Sequence, residues 1–237
     1  MTLRPIIRQH VAGTEVLVWD LDLAREIASH ATGVLPAHEV VAALKARDPI
    51  VRSRRLTGRI LVRRALSTWM NQGPEELVFE AGPHGKPFLP SGPAFNISHS
   101  GKYLALAVRS SGRVGIDIEV VRDSPDLPAL ARRYFTESEH REILRSQDGA
   151  TQAFFRVWVR KEAFLKATGY GLALPLDSFS VSSATLPLGT NALTDINYPG
   201  ENPGRWLVMS LVPPGNSQLA LAVDYQGSWD SPWTTAK

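Results

Sequence analysis

The chain has 237 residues, 43% hydrophobic and 21% charged, with no cysteine. These figures fit an ordinary globular protein and exclude a disulfide framework, a thiolate zinc site and a cysteine nucleophile. The formal net charge is only +3, carried by 20 arginines and 6 lysines against 23 acidic residues. That is too little to argue for a nucleic-acid binder by itself, although an arginine-rich surface suits phosphate-bearing ligands. The opening run MTLRPIIRQHVAG lacks the apolar stretch of a signal peptide, so a cytoplasmic location is expected.

In chain order, Glu15 to Leu23 alternates and reads as a strand. Pro36 to Arg47 reads as a short helix, and Val51 to Met70 as a longer one, with Leu56, Ile60, Leu61, Ala65 and Leu66 at helical spacing. Leu77 to Glu80 precedes a turn at Gly82-Pro83-His84-Gly85, and Ala94 to Ser98 is strand-like. Tyr103 to Arg109 and Val114 to Val120, joined by Ser110-Ser111-Gly112-Arg113, read as a hairpin. Helical patterns follow at Leu127 to Tyr134, Glu137 to Ser146 and Thr151 to Thr168, the last closed by Gly169. Ser178 to Ser182, Arg205 to Val212 and Gln218 to Tyr225 are strand candidates, so the apolar run from Trp206 to Val223, broken by Pro213-Pro214-Gly215, is two strands and not a membrane span. Residues 184–204 read as a connection and the last dozen as a loose tail. Val18-Trp19-Asp20-Leu21-Asp22 is echoed by Gly115-Ile116-Asp117-Ile118-Glu119, which suggests two similar α+β halves meeting near residue 112.

Four segments carry candidate chemistry. On a strand, Asp117 and Glu119 share one face and Ile116 and Ile118 the other, with the carboxylates roughly 6–7 Å apart. Such a pair repels unless a cation joins it, and oxygen-only ligands favour Mg²⁺ or Mn²⁺; a solvated acidic edge is the simpler alternative. Trp158, Glu162 and Lys166 fall on one helical stripe with Lys161 at its edge. A half-buried glutamate beside two lysines suits a general base near a phosphate, although by itself the segment is better read as a plain Glu–Lys surface pair. In Asn96-Ile97-Ser98-His99-Ser100, Ser98 and His99 could donate to an anion but point to opposite faces, which argues against a Ser–His nucleophile. Lys86 in a rigid Gly-Lys-Pro turn and Arg54 early in a helix read either as surface charge or as ligands of an anion.

Five blocks in this order and spacing are similar to one family, the Sfp-type 4′-phosphopantetheinyl transferases. They are Gly85-Lys86-Pro87, Asn96-Ile97-Ser98-His99-Ser100, Val114 to Glu119, Arg133 to Glu139, and Trp158-x-x-Lys161-Glu162-Ala163-x-x-Lys166. The resemblance covers about Arg54 to Val181 and implies an α+β pseudo-dimer with the active site between two similar halves, here 1–112 on the nucleotide side and 113–237 with the metal and the catalytic helix. It also implies transfer of the phosphopantetheine arm of coenzyme A to a serine of an apo acyl or peptidyl carrier protein, releasing 3′,5′-ADP, by a cytoplasmic monomer with no nucleic-acid or membrane partner. By the same resemblance, Asp117, Glu119 and Glu139 would hold Mg²⁺ (or Mn²⁺), and Glu162 would be the base. Lys161 and Lys166 would sit at the pyrophosphate, and Arg54, Lys86, Ser98 and His99 would bind coenzyme A. The rival readings are a metal-dependent nucleotide phosphohydrolase, an inactive coenzyme A-binding homologue and an RNA-binding module; no aromatic-basic interleaving supports the last.

Overall fold

The computed structural model describes residues 4–31, 33–197 and 201–225. The first sheet contains β1 (Ile7–Val11), β2 (Thr14–Asp20), β5 (Ala94–Ser100) and β6 (Tyr103–Arg109), antiparallel throughout in the order β1-β2-β6-β5. Two-residue strands β3 (Glu80–Ala81) and β4 (Pro87–Phe88) pair on either side of the Gly82 to Gly85 turn. The second sheet takes β7 (Val114–Val120), β10 (Trp206–Ser210) and β11 (Ser217–Asp224) in the order β10-β11-β7, and β8 (Phe179–Val181) pairs with β9 (Leu193–Ile196). Among the described residues there are five α-helices: α1 (Ala37–Leu44), α2 (Pro49–Met70), α3 (Leu127–Tyr134), α4 (Glu137–Leu144) and α5 (Ala150–Thr168). Among the described residues no helix is long and apolar enough to cross a membrane.

Strand alternation builds four layers from these elements. In β2 and β6, Leu17, Trp19, Leu104 and Leu106 face Ile60, Leu61 and Leu66 of α2. The intervening Val16, Val18, Ala105 and Ala107 face Ile116, Ile118, Leu219 and Leu221 of the second sheet. The outer face of that sheet, with Val208, Ala220 and Ala222, packs on Val157, Phe164 and Ala167 of α5. The order is therefore helix, sheet, sheet, helix, and each strand residue is assigned its layer by the period of two.

Local signals set the long helices. Asp48 caps α2 by accepting from the amides of Ile50 and Val51, Pro49 occupies the first turn, and Asn71 ends it in the left-handed region at φ 52°. Gly169, at φ 77°, closes α5 as its sequence suggests.

Three features depart from the sequence reading. The expected hairpin of β6 and β7 does not form: β2 and β5 already occupy both edges of β6, so β7 crosses to the other sheet and pairs with β11 instead. β1 was not anticipated, and β9 lies inside the stretch read as a connection. The tail assigned to the last dozen residues falls outside the described residues.

The β7–α5 contact is unusually close. A Cβ added at Gly115 would overlap the carbonyl of Ala163 and the amide of Ala167, both backbone atoms of α5. Gly115→Ala is expected to push the helix off the strand and lower stability by about 1–3 kcal/mol or more, read as a reduced urea midpoint. An unchanged midpoint would mean that α5 can shift freely.

Candidate active site

Gly115, Asp117 and Glu119 project from β7 toward α5, opposite Ile116 and Ile118, which face the first sheet. On α5 the stripe of Glu162 and Lys166 meets them. The Lys166 ammonium lies 2.6 Å from Asp117 Oδ1 and donates also to Ser98 Oγ at 3.0 Å and to the Ile116 carbonyl at 3.3 Å. Asp117 is 3% exposed, and its Oδ2 is a buried oxygen with no hydrogen-bond partner. Burial raises its carboxyl pKa, an effect opposed by Lys166 and Ser98. Glu162 is half-buried, and its pKa is raised first by burial and then by the charge of Asp117, with Lys166 acting the other way.

β5 divides the remaining candidates between its two faces. Phe95, Ile97 and His99 line a cavity of about 750 Å³ whose floor includes Leu21 and Leu104 and whose rim carries Arg54, Arg55 and Arg59. Ser98 points the other way, into β7, and donates to Asp117 Oδ1 at 2.8 Å. Ser98 and His99 therefore do not form a pair, as their alternation requires. Arg54 is clamped by Asp22, with Nε and Nη2 each 2.7 Å from its carboxylate, and donates through Nη1 to the Gly101 carbonyl at 3.3 Å. Asp20 is held by Lys102 at 2.7 Å. The acidic pair of the first half, which echoes Asp117 and Glu119, is thus matched one-to-one by cations, whereas the second-half pair is left with an unsatisfied oxygen.

A second cavity of about 290 Å³ is lined by His84, Lys86, Glu162 and Lys166, and it shares Pro87 with the larger one. Lys86 reaches from the β3–β4 turn across to the second half, donating to the carbonyls of Val114 at 2.7 Å and Lys166 at 2.6 Å. Burial, with Arg113 and Lys166 nearby, lowers its pKa to about 8 from 10.5. Between about pH 8 and 10.5 the unfolded chain holds a proton that the folded chain has released, so this lysine makes stability rise with pH there. Lys86→Met is expected to flatten that rise in urea melts across the window; an unaltered slope would place the lysine in water.

Two expected site residues are elsewhere. Lys161 is fully buried, and all three of its N–H groups are engaged, by the carbonyls of Leu176 and Phe179 at 2.6 Å each and by Glu139 Oε1 at 2.9 Å. Glu139, 2% exposed, also accepts from the amides of Thr136 and Val181, closing the capping box of α4. Lys161 has no N–H left for a phosphate, and Glu139 is buried against Lys161 and two backbone amides without grouping with Asp117 and Glu119, so the expectations of Lys161 as a catalytic and coenzyme A-binding residue and of Glu139 as a metal ligand are corrected: the two form a structural ion pair. The sequence signal for Glu139 was present in Thr136-x-x-Glu139, a capping-box spacing.

Among the described residues, no three histidine, aspartate or glutamate side chains stand close enough together to hold an ion in the present arrangement. Asp117 and Glu119 nevertheless fit a hard divalent cation: they are oxygen donors, side by side, and Asp117 Oδ2 lacks any other partner. Two carboxylates suit Mg²⁺, which keeps waters and takes substrate phosphate oxygens for the rest of its shell.

Taken together, an acid–lysine–glutamate cluster between β7 and α5, joined by Ser98 from the first sheet, has the charged groups of an enzyme site. Comparison with known proteins agrees. Residues 113–222 match the model of the 4′-phosphopantetheinyl transferase superfamily, and residues 25–111 match that of the 4′-phosphopantetheinyl transferase N-terminal region. The chain is 33% identical over 218 residues to the 4′-phosphopantetheinyl transferase HetI of Nostoc sp., covering 88% of this chain and 87% of that protein. It is 40% identical over 131 residues to the transferase Sfp of Bacillus subtilis, covering 54% and 57% respectively, and 35% identical over 161 residues to psf-1 of Bacillus pumilus, covering 67% and 68%. The chain belongs to the Sfp-type 4′-phosphopantetheinyl transferase family.

Proposed function

We propose that this chain transfers the phosphopantetheine arm of coenzyme A to a serine of an apo carrier protein, releasing 3′,5′-ADP. The observation that carries the reading is the meeting of Glu162, Lys166 and the half-satisfied Asp117 between β7 and α5. A serine hydroxyl is a poor nucleophile at neutral pH, and Glu162, with its pKa raised, is placed to take its proton as the oxygen attacks the phosphorus next to the pantetheine. Lys166 neutralises charge that builds on the departing phosphate. Asp117 and Glu119 would hold Mg²⁺, which supplies Lewis-acid polarisation of the pyrophosphate oxygens. The arginine-rimmed cavity with Arg54 and His99 suits the 3′-phosphorylated nucleotide, with its apolar floor under the base; Lys86 lines the adjoining cavity with Glu162, and Ser98 would act on coenzyme A from beside Asp117 and Lys166.

In this reading residues 1–112 form the nucleotide side and 113–237 the metal and catalytic side, and one chain supplies both halves, so a monomer suffices. A cytoplasmic location goes with coenzyme A as donor.

Intact-mass spectrometry tests it. An apo carrier incubated with the protein, coenzyme A and Mg²⁺ is expected to gain one phosphopantetheinyl group, and EDTA is expected to prevent the gain. Consumption of coenzyme A without modification of acyl or peptidyl carriers would replace this reading with a phosphohydrolase. No consumption at all would leave a binding protein.

Arg54→Ala is expected to raise the KM for coenzyme A by about 10–100-fold, the range of one charge-assisted hydrogen bond, with kcat nearly unchanged. A fall in kcat at constant KM would move Arg54 out of ground-state binding.

A further inference from the structure

β5 and β7 are the facing edges of the two sheets, yet no backbone ladder joins them among the described residues. Side chains of β5 take its place. Asn96 Oδ1 accepts from the Ile116 amide at 2.9 Å, Ser98 Oγ from Ile118 at 3.3 Å and Ser100 Oγ from Val120 at 3.1 Å. Three alternate residues of one strand thus satisfy three alternate amides of the other, which an edge strand would otherwise leave open.

The two serines do something the asparagine does not. Each also donates its hydroxyl proton to the carboxylate one residue earlier on β7: Ser98 to Asp117 Oδ1 at 2.8 Å, and Ser100 to Glu119 Oε2 at 2.6 Å. The corresponding residue beside Asn96 is Gly115, which has no side chain to hold. A hydroxyl has a single proton, so donating it to a carboxylate while accepting from a β7 amide fixes the serine rotamer and the carboxylate together. Both serines are buried, at 6% and 9% exposure.

We propose that Ser100 is a positioning residue that orients Glu119 for the divalent cation, as Ser98 does for Asp117, so that the cation site in the second half is shaped by a strand of the first. The proposal rests on the reading that Asp117 and Glu119 hold a cation. Ser98 has a neighbouring ammonium in Lys166 and cannot be varied cleanly. Ser100 has no such complication, and it is the residue to change.

The experiment is a Mn²⁺ titration of the full chain, without coenzyme A or carrier, with free Mn²⁺ read by electron paramagnetic resonance. Ser100→Ala is expected to weaken binding about 10–100-fold, the usual effect of losing a group that orients a metal ligand. Ser100→Thr retains the hydroxyl and is expected to bind close to wild type, which also covers the case in which the alanine variant folds poorly. Asn96→Ala loses a bond to β7 but no carboxylate contact, and its Mn²⁺ affinity is expected to stay near wild type. Wild-type affinity in Ser100→Ala overturns the proposal, and so does an equal loss in Asn96→Ala, because either reduces the serine to a strand-edge role. If the wild-type protein binds no Mn²⁺, the cation reading itself falls and this proposal falls with it, an outcome separate from the other two.

Discussion

Glu162→Gln is expected to lower kcat by about 10²–10⁴, the range for a lost general base, while the dissociation constant for coenzyme A stays close to wild type. Glu162 lies on the same face of α5 as Lys166, opposite the β7 carboxylates, and it is burial and the Asp117 charge that hold its proton more tightly than usual. A base works only when deprotonated, so wild-type kcat/KM is expected to fall on the acid side as Glu162 takes up a proton, and the variant should lose that limb. The linkage sign gives a second readout. With the folded pKa above the unfolded one, the folded chain binds the proton more tightly, so stability declines as pH rises through that window and the ionised carboxylate is a cost at neutral pH. Glu162→Gln removes the charge and is expected to melt at or above the wild-type temperature near pH 7. Turnover and stability then move in opposite directions, as expected of a residue kept for function. A collapse in coenzyme A binding together with a lower melting temperature would make Glu162 a packing residue instead.

Lys161→Met is expected to destabilise the fold by about 3–5 kcal/mol, because it leaves the Glu139 carboxylate buried without its partner. For a chain of this length that corresponds to a melting temperature lower by roughly 6–20 °C. The ammonium also sits 4.3 Å from the centroid of the Phe179 ring and ties together α4, α5 and β8 through Glu139 and the Leu176 and Phe179 carbonyls. Adding Glu139→Leu is expected to recover part of the loss, since no unpaired charge remains; the recovery is partial because the Thr136 and Val181 amides then lose their acceptor. Urea denaturation of the two variants measures this. The contrast with Glu162, the next residue, is sharp: one change is expected to remove activity without loss of stability, the other stability first. A fully stable, inactive Lys161→Met would return this lysine to the active site.

Much of the candidate site was legible without coordinates. The shared face of Asp117 and Glu119 follows from strand alternation alone, as does the divergence of Ser98 from His99, and the stripe of Trp158, Glu162 and Lys166 follows from helical spacing. The helices α2, α3, α4 and α5 were placed to within about two residues, because caps and apolar periodicity are local properties. The misplaced hairpin has a tertiary cause. Ser110-Ser111-Gly112-Arg113 can equally close a hairpin or carry the chain from one sheet to another, and the choice depends on whether β6 has a free edge. The roles of Asn96 and Ser100 were hidden similarly: their alternation was readable, but the strand their oxygens would meet is about 20 residues further along.

The sequence by itself determined the long helices, most of the strands, the faces on which the acidic and basic side chains stand, and the family, because each depends on local spacing and order along the chain. Only the tertiary structure decided which ions pair. Lys161 and Glu162 are adjacent in the chain yet about 100° apart around α5, so one is buried against Glu139 and the other turns toward β7. The same holds for the two acidic pairs. Asp20 and Asp22 are neutralised by Lys102 and Arg54, while Asp117 keeps an unpartnered oxygen. Charge compensation depends on distances between segments remote in sequence, and packing alone sets those distances.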